Sequence, residues 1–146
     1  MTREVSVTIR CRGHPLVTAT HPSTFEITRE PGLTLKGDCI LAVAADRGAR
    51  DLPEEFGALL CRDDASLLTV LSCDGMSVET RGRGSSSMTL DHPSDLVWRK
   101  SRYVCGRTVA IEADTVARTI PREFINALRR GSDMIAVLTV TVPDSV

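Results

Sequence analysis

A chain that repeats itself has to fold into something one unit can build twice. Residues 5–74 and 76–144 are two near-copies of one stretch. Shifted by 71 residues, as from Arg12 to Arg83, Ser6-Val7 falls on Ser77-Val78 and Arg12-Gly13 on Arg83-Gly84. The same shift lays His21-Pro22-Ser23 on His92-Pro93-Ser94. Shifted by 68, as from Asp46 to Asp114, Ala45-Asp46 falls on Ala113-Asp114, Ala49-Arg50 on Ala117-Arg118 and Glu55-Phe56 on Glu123-Phe124. Leu68-Thr69-Val70 matches Leu138-Thr139-Val140. The small drift in offset is what insertions and deletions in surface loops produce. A unit of about seventy residues buries only about 60% of its unfolded surface and is marginal alone. The two copies are therefore expected to share one core, as a single domain over residues 1–146.

Composition narrows the function classes. The net charge is −1 and 42% of residues are hydrophobic, which fits a folded globular chain. A general nucleic-acid binder would carry a strongly basic footprint, so that class is disfavoured. No apolar run reaches the roughly 18 residues of a membrane span, and the N-terminus lacks a signal-peptide core. The expected location is the cytoplasm. The five cysteines, Cys11, Cys39, Cys61, Cys73 and Cys105, are odd in number and show no Cys-x-x-Cys spacing. A disulfide framework or zinc ribbon is not expected.

Local patterns read mostly as strand. Val5, Val7 and Ile9 alternate with polar residues, the period of a half-buried strand. Short extended pieces are expected at 17–19 and 25–28. The apolar run 39–44 reads as the strongest strand, buried on both faces. Asp51 reads as a helix N-cap, with Pro53 in the first turn and Leu52, Phe56, Leu59 and Leu60 as the apolar stripe. A strand over 66–72 follows, and Asp74-Gly75 marks a tight hairpin into the second copy. That copy repeats the plan: strands at 78–81, 88–90, 96–98, 104–112 and 135–142, and a helix over about 120–130 capped by Thr119. The fold class expected is mainly β: a pseudo-twofold duplicated sandwich or barrel with one short helix per repeat.

Several blocks carry a resemblance: Arg12-Gly13-His14-Pro15, Phe25-Glu26-Ile27-Thr28, Leu35-Lys36-Gly37-Asp38-Cys39-Ile40, Asp91-His92-Pro93, Arg99-Lys100-Ser101 and Cys105-Gly106-Arg107-Thr108. With them the chain resembles, over nearly its whole length, the archaeal family catalogued as domain of unknown function 371. The resemblance implies a compact β-sandwich and transfers no catalytic residues. Where the family pattern has a second Gly-His-Pro, this chain has Gly84-Ser85-Ser86.

Duplication first makes two equal sites, and divergence then leaves one asymmetric site near the twofold. His21 and His92 are the retained pair. His14 against Ser85, Thr20 against Asp91, Thr24 against Asp95 and Glu26 against Val97 are the divergent positions. The reading adopted is a polar cleft between the repeats that binds, or binds and turns over, a small anionic, phosphate-bearing ligand. Its candidate residues are His14, His21, Asp38, His92, Asp95, Arg99, Lys100 and Arg107. Arginine offers a bidentate fork suited to phosphate; against this stands a solvated basic edge strand. A second reading makes His21 and His92, with Asp91 or Asp95, a metal site; against it, His-Pro-Ser is turn chemistry in both copies. A third is a non-catalytic interaction module. Whether the chain is an enzyme, which cofactor it uses and whether it forms a homo-oligomer stay open at this point.

Overall fold

The structure is a computed structural model that describes residues 2–143; Asp144, the last residue of the second copy, lies outside them. Its elements in order are β1 (Thr2–Arg12), β2 (Thr24–Thr28), β3 (Ile40–Ala42), α1 (Glu54–Leu60) and β4 (Ser66–Cys73). Then come β5 (Met76–Arg83), β6 (Asp95–Arg99), β7 (Thr108–Ala110), α2 (Arg122–Arg129) and β8 (Asp133–Pro143). A 3₁₀ turn precedes each helix, at Ala49–Asp51 and Ala117–Thr119. The fold is mainly β, with the same element order in each half.

The first sheet runs β1-β8-β4-β5 and is antiparallel throughout. The second runs β3-β2-β6-β7, with an antiparallel centre and parallel outer strands. Both orders are symmetric about their middles, so an approximate twofold passes between β8 and β4 and between β2 and β6. β1 pairs with β8, the last strand of the other half. This interleaving gives one hydrophobic core fed by both halves. Neither sheet closes on itself, so the arrangement is a sandwich and not the barrel alternative.

Period-two patterning sets the layers. Val7, Ile9 and Cys11 of β1 are buried while Ser6, Thr8 and Arg10 are exposed. Phe25 and Trp98, neighbours on β2 and β6, stack at 4.6 Å between centroids. The indole N–H of Trp98 donates to Thr69 Oγ1 in the opposite sheet at 2.9 Å, satisfying both buried polar groups. Asp74 (φ 49°) and Gly75 (φ 77°) form the two-residue hairpin turn, with positive φ at both central positions as a type I′ turn requires. Gly13 and Gly84 occupy equivalent places where the chain touches the last carbonyls of α2 and α1, at Leu128 and Leu60. A Cβ at either would collide with backbone.

Three expectations change. The apolar run at 39–44 yields only the three-residue edge strand β3, because Ala44 adopts positive φ (54°) and ends the pairing. Val43 turns instead to the first sheet, exchanging two backbone bonds with Arg12 at 2.7 and 3.0 Å. The run 104–112 shortens to β7 in the same way, with Glu112 at φ 51° and Ile111 bridged to Arg83. Asp51 and Thr119 cap their 3₁₀ turns, not the helices. The Asp51 carboxylate accepts the Gly48 N–H at 2.8 Å and Thr119 Oγ1 accepts the Val116 N–H at 3.0 Å. Pro53 and Pro121 are the N-caps. A proline disfavours helical backbone in the residue before it, which separates turn from helix. The apolar stripes hold: Leu52, Phe56, Leu59 and Leu60, and likewise Ile120, Phe124, Ala127 and Leu128, are all buried. Residues 17–19 and 88–90 are irregular and not strand.

Candidate functional site

β2 and β6 turn Phe25, Ile27, Leu96 and Trp98 into the core. Alternation therefore aims Thr24, Glu26 and Thr28, with Asp95, Val97 and Arg99, at the opposite face of the second sheet. Thr24, Glu26, Thr28 and Val97 are nevertheless buried. The β2–β3 and β6–β7 connections cover them. The antiparallel register sets Glu26 opposite Val97, Thr28 opposite Asp95 and Thr24 opposite Arg99. Glu26 thus lies on the twofold, facing an apolar counterpart.

Two linked groups of contacts occupy this face. Asp95 accepts the Thr28 hydroxyl at 2.8 Å and Arg107 Nη1 at 3.1 Å. The same Nη1 lies 3.5 Å from Glu26 Oε1. Beside them, Arg99 donates through Nε to Thr108 Oγ1 at 2.8 Å and through Nη2 to Cys105 Sγ at 3.3 Å. The Arg99 guanidinium also lies 4.9 Å over the Tyr103 ring, a cation–π contact.

The environment shifts three groups strongly. Burial, reinforced by the Asp95 charge and only partly opposed by Arg107 and Arg99, raises the Glu26 carboxyl from 4.5 to about 7. Burial also raises the Cys105 thiol, but the Arg107 backbone N–H, the Thr108 hydroxyl and the Arg99 guanidinium outweigh it and bring it down to about 7. Cys39, on the first-half side, goes the other way: burial and the Glu26 charge push it to about 11. An acid and a thiol that both titrate near neutrality therefore share one arginine-bridged cluster.

A cavity of about 570 Å³ opens on this cluster. Glu26, Thr28 and Asp95 form its floor and Glu30, Leu33, Thr34 and Ile40 its sides. A larger hollow of about 710 Å³ lies at the 85–87 turn. Its charged groups are engaged by one another or by the loop: Arg102 with Glu112 at 3.3 Å, Asp63 with the Ser86 N–H and hydroxyl at 2.8 and 3.0 Å, and Arg83 with the Asp63 carbonyl at 2.9 Å. The smaller cavity holds Glu26, the buried carboxyl raised toward neutrality, with Asp95 beside it, and is the candidate site; the two cysteines do not line it.

Of the residues expected in the cleft, Asp95, Arg99 and Arg107 come together. His92 stands at the margin, with Nε2 3.8 Å from Asp95 Oδ2. His21 does not join them, since antiparallel pairing of β2 with β6 places the two His-Pro turns at opposite ends. In each turn the imidazole does the same work. His21 Nδ1 accepts the Ser23 and Thr24 N–H groups at 3.1 and 3.2 Å, and His92 Nδ1 those of Ser94 and Asp95 at 3.1 and 2.9 Å. Among the described residues no three His, Cys, Asp or Glu side chains converge to hold a metal ion. His14 accepts the Leu16 N–H at 3.0 Å in the turn after β1, and no hydrogen bond or ion pair joins it to the cluster. Asp38 contributes its backbone carbonyl, to the N–H groups of Thr20 and His21. Lys100 is tied by its backbone N–H to Ser23 and its side chain is exposed. Glu26, Cys105, Thr28 and Thr108 were not among the expected site residues. The Glu26/Val97 difference between the copies was the signal that pointed to the first of them.

A family model described as Domain of unknown function (DUF371) matches residues 9–141. The chain is also similar to Uncharacterized protein MJ0206 of Methanocaldococcus jannaschii. The two are 38% identical over 132 residues, covering 90% of this chain and 97% of the relative. No helix among the described residues is long and apolar enough to cross a membrane.

Proposed function

The chain belongs to the DUF371 family, and we propose that it binds a small metabolite in the cleft on the twofold, with Glu26 exchanging a proton with the ligand. The ligand carries an anionic group, phosphate or carboxylate, beside a hydrogen-bond donor such as an amine or hydroxyl. Arg107 is half-exposed and reaches both Asp95 and Glu26 through Nη1, with Cys105 as a further neighbour, so part of its guanidinium fork is left for an incoming anion. The donor-rich part of the ligand enters the cavity, where Glu26, Glu30, Asp95 and the Thr28 and Thr34 hydroxyls accept from it. Leu33 and Ile40 pack its apolar edge. We take the two halves as copies of one ancestral unit, and the free thiols as a sign of a reducing, cytoplasmic setting.

One observation carries this reading. Glu26 is only 6% exposed, yet the equivalent position in the other half is Val97. The fold therefore does not need a carboxylate there, and burying one costs stability. Groups kept in spite of such a cost cluster at functional sites. The test is a thermal-shift panel of phosphorylated and carboxylated metabolites at pH 6 to 8, followed by calorimetry in buffers of different protonation enthalpy. A hit should lose roughly tenfold or more in affinity in Arg107→Gln, and its binding should move protons in the wild type but not in Glu26→Gln. Hits that bind Arg107→Gln equally well would remove the cleft as the site.

A further inference from the structure

Among the described residues, nothing covers the outward face of the first sheet. Its four strands present four rows across β1, β8, β4 and β5. In order along the strands these are Glu4–Thr141–Ser66–Arg83, Ser6–Thr139–Leu68–Arg81, Thr8–Val137–Val70–Glu79 and Arg10–Ile135–Ser72–Ser77. The middle is apolar, with Leu68, Val70 and Val137 half-exposed and Ile135 exposed. The flanking strands carry the charge. A shallow hollow of about 480 Å³ between Glu4, Leu68 and Arg81 marks one corner.

We infer that this face is a homodimer interface, taking a second copy of the same chain rotated by a twofold that lies in the interface plane, perpendicular to the strands. The charge order selects that occupant. Such a rotation lays the first row on the partner's fourth and the second on the third. Glu4 then meets Arg10 of the partner subunit, and Arg81 meets Glu79 of the partner subunit. Each pairing occurs twice because the operation is its own inverse. Between them Leu68 falls on Val70 and Thr139 on Val137, so apolar rows meet apolar rows. No like charges are opposed. Two twisted sheets packed this way meet as an aligned sandwich. Four strands by four rows remove on the order of 1,000 Å² from water, at the lower limit for a specific interface. The dimer is accordingly reversible and concentration-dependent. It is independent of the cleft, which lies on the far side of the second sheet.

Sedimentation velocity of the full chain, from low micromolar to submillimolar concentration, tests this. The wild type should move from monomer to dimer across that range. Arg10→Glu creates two like-charge contacts and should weaken association roughly 100-fold. The charge-swapped double variant Glu4→Arg/Arg10→Glu should restore it, and Arg81→Glu with Glu79→Arg should behave in the same way. Circular dichroism on each variant separates loss of association from loss of fold. A wild type that stays monomeric throughout, a dimer indifferent to Arg10→Glu, or a double swap that fails to rescue would each overturn the assignment.

Discussion

The two ends of the polar face on the second sheet are built on the same strand pair and hold different chemistry. At the first-half end stand His21, Thr24 and Cys39; at the aligned positions of the second-half end stand His92, Asp95 and Arg107. The imidazole work is identical, each Nδ1 accepting two backbone N–H groups of its own turn. What differs is charge. The Thr24 hydroxyl bonds His21 at 3.1 Å and the neighbouring Cys39 thiol, both uncharged partners, whereas Asp95 reaches Thr28 and Arg107 across the face. The fold therefore needs the turn and not the ions. Where two halves share a backbone plan, side chains that only one half carries are the ones the architecture does not explain.

The sharpest way to break this comparison is to strike both halves where they agree. Gly13→Ala and Gly84→Ala each drive a Cβ into a helix-end carbonyl, at Leu128 and Leu60. Each should destabilise by about 3 kcal/mol, by equal amounts, in chemical denaturation. Clearly unequal losses would mean that the halves are not equivalent scaffolds. Striking where they differ gives the next effect. Near pH 7, iodoacetamide should label Cys105 on the order of 100-fold faster than Cys39, because a thiol at about 7 is about half thiolate and one at about 11 is almost wholly protonated. Arg99→Ala should slow Cys105 and leave Cys39 unchanged, read by peptide mass spectrometry over time. A smaller effect comes from Glu26→Gln. The folded carboxyl titrates near 7, above its ordinary 4.5, so the folded state holds that proton more tightly than the unfolded state. Stability from this group is full below about pH 4.5 and is lost as pH rises through 7. Glu26→Gln should therefore gain on the order of 2 kcal/mol over wild type above pH 7, and nothing at low pH.

Much of the scaffold was legible because repetition and alternation are dense signals. The match of residues 5–74 to 76–144, the period of Val5, Val7 and Ile9, and Asp74-Gly75 specify paired β units and the hairpin between them. The interleaving of β1 with β8 was not legible, since pairing partners a whole chain apart leave no local trace. The lengths of β3 and β7 were misread for a different reason. An apolar run reports burial, but Val43 and Ile111 leave the second sheet to bridge to Arg12 and Arg83 of the first, and the left-handed residues that follow them, Ala44 and Glu112, end each run. At the site, divergence between aligned positions found Asp95, and the basic run after it found Arg99 and Arg107. The same comparison also brought in His14, as a divergent position, and His21, as half of the retained pair, and the basic run brought in Lys100; turn bonding and the antiparallel register leave all three outside the cluster. Glu26 differed between the copies but was set inside a regular strand pattern, and only the register opposite Val97 gives it meaning.

The most direct test is the titration of Glu26 itself, followed by carbon-detected NMR on protein labelled at the glutamate side-chain carboxyl, with Glu26→Gln to assign the resonance. A midpoint near 7, falling in Asp95→Asn as the neighbouring charge is removed, is the predicted result. A midpoint near the ordinary 4.5 would contradict it, and would leave the cleft on the twofold a solvated surface with no poised acid.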